Sequence, residues 1–165
     1  LCYIQVDEEE DIQVLATSTE DGRILFYSTR PADLVTAEAV EGKDAPLPSA
    51  KLIAQLGGKG VGLSGRIKDF TVLNVGEGVS KEFIVVAGGS DGALRLWRLA
   101  PKDLAKNSGK VKQIGKLLGT YETTNRITCL KAFVMLPKME GAEDEEIEDF
   151  EGLGDDEEAS SSDSE

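Results

Sequence analysis

Short runs of apolar and β-branched residues recur along the chain, at 1–6, 12–18, 23–27, 51–56, 67–75, 83–88, 93–99, 116–121 and 126–135, with turn-forming residues between them. Each is 5 to 10 residues long, which suits strands and falls short of ordinary helices. No segment keeps apolar residues at i, i+3, i+4 and i+7 over three turns, as an amphipathic helix would. The Ala-Asp-Leu stretch after Pro31 and the Lys-Asp-Leu-Ala stretch after Pro101 have room for one helical turn each. The pattern predicts an all-β fold.

Two of the strand pairs form an internal repeat. Residues 13–27 read QVLATSTEDGRILFY and residues 84–97 read IVVAGGSDGALRLW. Each has an apolar strand reaching Ala16 or Ala87, then small residues, then an Asp-Gly pair (Asp21 and Gly22, Asp91 and Gly92). An alternating strand follows and ends on an aromatic, Tyr27 or Trp97. Asp-Gly suits a tight hairpin because the turn needs positive φ, which Gly adopts freely and Asp tolerates. Trp97 is expected to pack in the repeat core.

The two Asp-Gly pairs lie 70 residues apart, against a usual spacing of about 40 to 45 for four-stranded propeller blades. The excess falls in an insertion at 30–65, and a second insertion follows at 101–115. Residues 30–65 contain Pro31, Pro46, Pro48 and the run GGKGVGLSG, and residues 101–115 are rich in Lys.

Charge divides the chain sharply. All 18 basic residues lie at or before Lys138, where 17 acids nearly balance them. The other 14 acids fall between Glu140 and Glu165 with no basic residue among them. Residues 137–165 are therefore expected to be a disordered acidic tail, since so few apolar groups cannot offset the entropy of ordering. Ser160 and Ser162 each have an acid three residues on, a context for phosphorylation by an acidophilic kinase. Residues 1–136 are left as the folded body. The chain opens without Met on a strand-like run, as expected of a piece cut from a longer protein.

Candidate chemistry is sparse. The chain has no His, which removes the commonest general base, the usual partner of nucleophilic Ser and Cys, and the commonest metal ligand. Cys2 and Cys129 are too few for a disulfide framework or a four-Cys zinc site and fit a reduced intracellular setting. No apolar run, 83–87 included, approaches the roughly 18 residues of a membrane span.

Gly60, Gly62 and Gly65 spell G-x-G-x-x-G, but dinucleotide binding needs a helix to open after the loop, and 66–75 has strand character. Asp69, Asp21 and Asp91 have no catalytic partner in view, and two of them sit in turns. No catalytic, cofactor-binding or metal-binding residue is assigned, and the chain is expected not to be an enzyme. Arg98, Lys102, Lys106, Lys110, Lys112 and Lys116 occupy a stretch whose one acid is Asp103. It has the composition of an exposed loop able to contact nucleic-acid phosphates in a salt-sensitive way.

The segment GGSDGALRLWRL at 88–99 resembles a WD repeat, although Arg98 stands where that pattern has Asp and no Gly-His pair exists. Residues Arg126, Ile127, Thr128, Cys129 and Leu130 resemble the closing strand of one WD-repeat group. That group comprises the yeast maintenance-of-killer protein and the animal p21-activated kinase-interacting protein. The resemblance implies about two blades of a partial β-propeller plus closing strands, taken from the C-terminal end of the ring. It further implies a non-catalytic scaffold for assembly of the large ribosomal subunit, in the nucleolus or nucleus. Ribosomal proteins and pre-ribosomal factors would be its partners. The alternative is a signalling adaptor that restrains a p21-activated-type kinase.

Overall fold

A computed structural model of the chain describes residues 1–7, 10–36, 47–63, 65–76, 81–105 and 110–135. The chain divides into two units, Leu1–Val134 and Met135–Glu165. All but Met135 of the second unit, including Ser160 and Ser162, lies outside the described residues. The expected tail therefore lies there too.

The first unit is all-β. Strands β1 (Cys2–Asp7), β2 (Ile12–Ser18), β3 (Arg23–Ser28) and β4 (Leu52–Gly57) pair as an antiparallel meander. Strands β5 (Ile67–Val75), β6 (Glu82–Gly89) and β7 (Ala93–Leu99) begin a second meander, which β9 (Lys116–Glu122) completes. A two-residue strand, β8 (Lys112–Gln113), joins β4 in parallel on the edge of the first sheet. The turns foreseen after Pro31 and Pro101 are a 3-10 turn, Pro31–Asp33, and a short helix, α1 (Pro101–Ala105). The expected insertion 30–65 holds β4 and an isolated bridge between Val35 and Ser49.

The two sheets share one apolar core. Side chains alternate along a strand and directly paired residues share a face. On one face of sheet 1 lie Ile4, Val14, Ala16, Ile24, Phe26, Ala54 and Leu56, all buried. Against them sheet 2 turns Phe70, Phe83, Val85, Ala87, Trp97 and Leu99, also buried. A Cβ on Gly115 would touch Leu56 of the first set and Leu99 of the second, which marks where the faces meet.

The 70-residue offset fixes the sense of this contact. It carries Val14, Ala16, Ile24 and Phe26 onto Ile84, Val86, Leu94 and Leu96, and carries Leu15 and Tyr27 onto Val85 and Trp97. The sheets therefore stack head to tail, one repeat's first face on the next repeat's second face. Each sheet is left with the other face outward. Sheet 1 shows Tyr3, Leu15, Leu25 and Tyr27, and sheet 2 shows Leu73, Ile84, Val86, Leu94 and Leu96; apart from the exposed Tyr3, all are half-buried. A solvated antiparallel sheet would carry polar residues at most of these positions.

One expected strand differs. Residues 126–135 join no ladder among the described residues. After β9 the chain turns at Thr123 to Asn125 and passes back across sheet 2, where Ile127 lies over Gly88. The Leu130 N–H donates to Asp69 Oδ2 at 2.8 Å. An apolar, β-branched sequence makes a strand only when another strand lies alongside to accept its bonds, and none does among the described residues.

Candidate interaction surface

The Asp-Gly turns fix the geometry at one end of both sheets. Gly22 and Gly92 have φ of +80° and +82°, the conformation that favours glycine. A Cβ on Gly22 would stand 2.7 Å from the carbonyl oxygen of Gly65, and one on Gly92 would stand 2.7 Å from that of Asn125. Each turn is thus the point over which the chain enters its next segment. The repeat extends accordingly: Gly65, Arg66 and Ile67 pass the first turn as Asn125, Arg126 and Ile127 pass the second.

Each turn carboxylate is held by an arginine. Asp21 Oδ2 lies 2.7 Å from Arg23, and Asp91 Oδ2 lies 2.6 Å from Arg95. The Arg95 guanidinium, with help from the Ala93 N–H, keeps the Asp91 carboxyl below the usual carboxylate range despite partial burial. Arg23, then Thr19, does the same for Asp21, and Asp21 in turn raises Arg23. Arg95 reaches the narrow cleft between the sheets, beside Trp97, Gly22 and Gly65.

A carboxyl whose folded pKa is depressed adds stability that is complete above its unfolded value, about 3.9, and is lost as pH falls through the folded value. Denaturant unfolding measured from neutral pH into that range is expected to show a steeper loss for the native chain than for Asp91→Asn. Equal slopes would mean that the Arg95 contact does not stabilise the fold.

Thr124 has φ of +60°, a strained conformation for a β-branched residue. Its hydroxyl, 2.6 Å from the Thr123 carbonyl oxygen, makes one local bond at this exposed turn. Thr124→Gly is expected to raise stability by about 0.5–1 kcal/mol, the left-handed penalty less the entropy of the added glycine. A denaturation midpoint that falls would show that the turn depends on the threonine hydroxyl.

The residues singled out by sequence fall in different places. Trp97 is buried between the sheets and is not available to a partner. Arg126, Thr128 and Cys129 are exposed, while Ile127 and Leu130 are half-buried against sheet 2. Gly60 and Gly62 lie in or beside a 3-10 turn, Lys59–Val61, that leads through Gly65 to β5.

The Lys-rich stretch is anchored at both ends. Leu104 and Ile114 are buried, and the Ile114 N–H bonds the Gln55 carbonyl of sheet 1 at 2.8 Å. Lys102, Lys110, Lys112 and Lys116 are exposed on this docked ribbon, Arg98 pairs with Glu82 at 3.2 Å, and Lys106 lies outside the described residues. Sequence reasoning missed Leu104 and Ile114 as anchors. Two apolar residues among lysines were the signal available for them.

Among the described residues no three metal-binding side chains cluster, and two open depressions, one at Glu20 and Arg66 and one at Arg23 and Gln55, are lined mainly by charged, hydroxyl, amide and glycine groups. What stands out is extent: two outward apolar sheet faces, an unpaired extended segment at 126–135, and a basic ribbon. In comparisons with known proteins, no family model, curated protein or solved structure matches the chain.

Proposed function

We propose that the chain is a two-sheet portion of a WD-type β-propeller, acting as a non-catalytic scaffold in assembly of the large ribosomal subunit. The observation that carries the architectural part is the head-to-tail stacking of two four-stranded repeats with an apolar face left outward at each end. Such heterologous contacts either close into a ring or continue as an open array. A repeat of this kind buries its faces only by stacking on neighbours, so a ring of them supplies broad rims and loops for macromolecular partners. The segment 126–135 fits this reading as the first strand of a further sheet, since it passes the Asp91 turn as β5 passes the Asp21 turn.

The assignment to ribosome assembly in the nucleolus rests on the resemblance of residues 126–130 and on their order after the Asp-Gly and Trp97 repeat. The exposed lysines of the docked ribbon support contact with rRNA phosphates, and ribosomal proteins or assembly factors are the protein partners in this reading. Affinity purification of the full-length protein from cells is expected to recover precursor particles of the large subunit. Recovery of none, with direct binding to the regulatory segment of a p21-activated-type kinase, would replace this reading by the signalling adaptor.

A further inference from the structure

The 70-residue offset continues beyond the hairpins into the connections that follow them. Pro31, Asp33 and Leu34 correspond to Pro101, Asp103 and Leu104. In both copies the Asp N–H closes the turn on a carbonyl three residues back, Arg30 at 3.0 Å and Ala100 at 2.9 Å. Proline at the first position presets φ for such a turn. The same turn thus stands at the same point after each hairpin and offers a leucine at its end.

The two leucines have different surroundings. Leu104 is 2% exposed and Leu34 is 47% exposed. Leu104 lies on the sheet before its own, at a depression lined by Ile12, Val14, Ser28 and Ile53 of sheet 1 together with Arg30 and Asp33. It fastens sheet 2 to sheet 1 across the stack. For Leu34, no sheet before its own is present among the described residues.

We infer that Leu34 is a latch of the same kind, and that its occupant is a further sheet of this build, from the same polypeptide, stacked on the outward face of sheet 1. The inference rests on the stacked-sheet reading above and adds to it the residue that fastens the joint. Continuity with the existing interface supports it. Leu15 and Tyr27 on the outward face of sheet 1 correspond to Val85 and Trp97, the residues by which sheet 2 packs on sheet 1.

A second copy of sheet 2 does not suit the latch. Where sheet 1 has Ile12 and Ser28 in the socket, sheet 2 has Glu82 and Arg98, ion-paired at 3.2 Å. A leucine pressed onto that pair would strip water from two charges without replacing it. The occupant is therefore a repeat with apolar or small neutral residues at those two positions.

The test is thiol labelling of the full-length polypeptide, in a background with Cys2→Ala and Cys129→Ser. Leu34→Cys is expected to react at least ~10-fold more slowly than Leu47→Cys, because buried positions react only through local opening. Leu15→Cys, on the outward face itself, is expected to be slow as well. A slow Leu15→Cys with a Leu34→Cys as fast as Leu47→Cys would overturn the latch and leave the stacking intact. Fast reaction at both positions would overturn both. If a cysteine variant fails to fold, hydroxyl-radical footprinting of the unsubstituted full-length protein decides the matter instead: a Leu34 side chain protected relative to the 87% exposed Leu47 supports the latch, and equal modification of the two overturns it.

Discussion

Phe26→Ala is expected to lower the unfolding free energy by about 3–5 kcal/mol, the usual cost of removing a buried phenylalanine. The upper part of that range applies here for a local reason. Phe26 is fully buried on β3, and its paired neighbours on β2 and β4 are Ala16 and Ala54, both fully buried too. The two alanines leave room for the ring, and no long side chain beside it can swing in once the ring is gone. The cavity stays open, and its surroundings lose contact without compensation. Leu47→Ala, 87% exposed and on neither sheet face, is the control and is expected to change stability by no more than about 0.5 kcal/mol. Urea titrations of both variants check this. Equal effects would mean that the two sheets are not held by the face assigned to their contact.

The second large effect is at the Asp21 turn. Gly22→Ala is expected to cost about 2–5 kcal/mol, because two penalties fall on one residue. A side chain at φ of +80° costs roughly 1–2 kcal/mol in the left-handed region. A Cβ placed 2.7 Å from the Gly65 carbonyl oxygen also forces apart two backbone segments, an overpacking cost of about 1–3 kcal/mol. Two other glycines separate these effects. Gly62 has φ of +77° with no atom within 4 Å of a built Cβ, so Gly62→Ala isolates the conformational part. Gly60 has neither constraint, and Gly60→Ala is expected to be neutral within about 0.5 kcal/mol. Denaturation midpoints should fall in the order Gly60, Gly62, Gly22. If Gly22 and Gly62 behave alike, the close approach to Gly65 does not occur in solution.

Much of the fold is legible in the sequence because a strand's own side chains record what it packs against. The alternation of Val14 and Ala16, or of Ala93, Arg95 and Trp97, announces a strand with one face inward. The Asp-Gly pairs announce where the chain reverses. The partners of a segment are less legible, because they depend on chain that is distant in sequence. Residues 126–135 have the composition of a strand and join no ladder among the described residues, since composition reports suitability and not the presence of a neighbour. The Lys-rich stretch has the average composition of an exposed loop. Its placement is decided by Leu104 and Ile114, two residues that an average hides. Asp69 has no catalytic partner in the sequence, and nothing nearby in the chain points to its bond with the Leu130 N–H, 61 residues away.

The shortest strand has a consequence for aggregation. An open sheet edge offers a row of unpaired N–H and C=O groups to any other chain, most dangerously while folding is incomplete. Without β8, one such edge on sheet 1 would be β4, whose residues Ile53, Ala54 and Leu56 are apolar. Lys112 and Gln113 take its ladder positions, and the Gln55 and Gln113 side chains bond each other at 3.1 Å beside them. Lys112 itself places a charge where an intruding strand would have to lie. Two residues from the neighbouring repeat thus act as a guard on the β4 side of the first sheet, and deleting them would show as turbidity on refolding before it showed as lost stability.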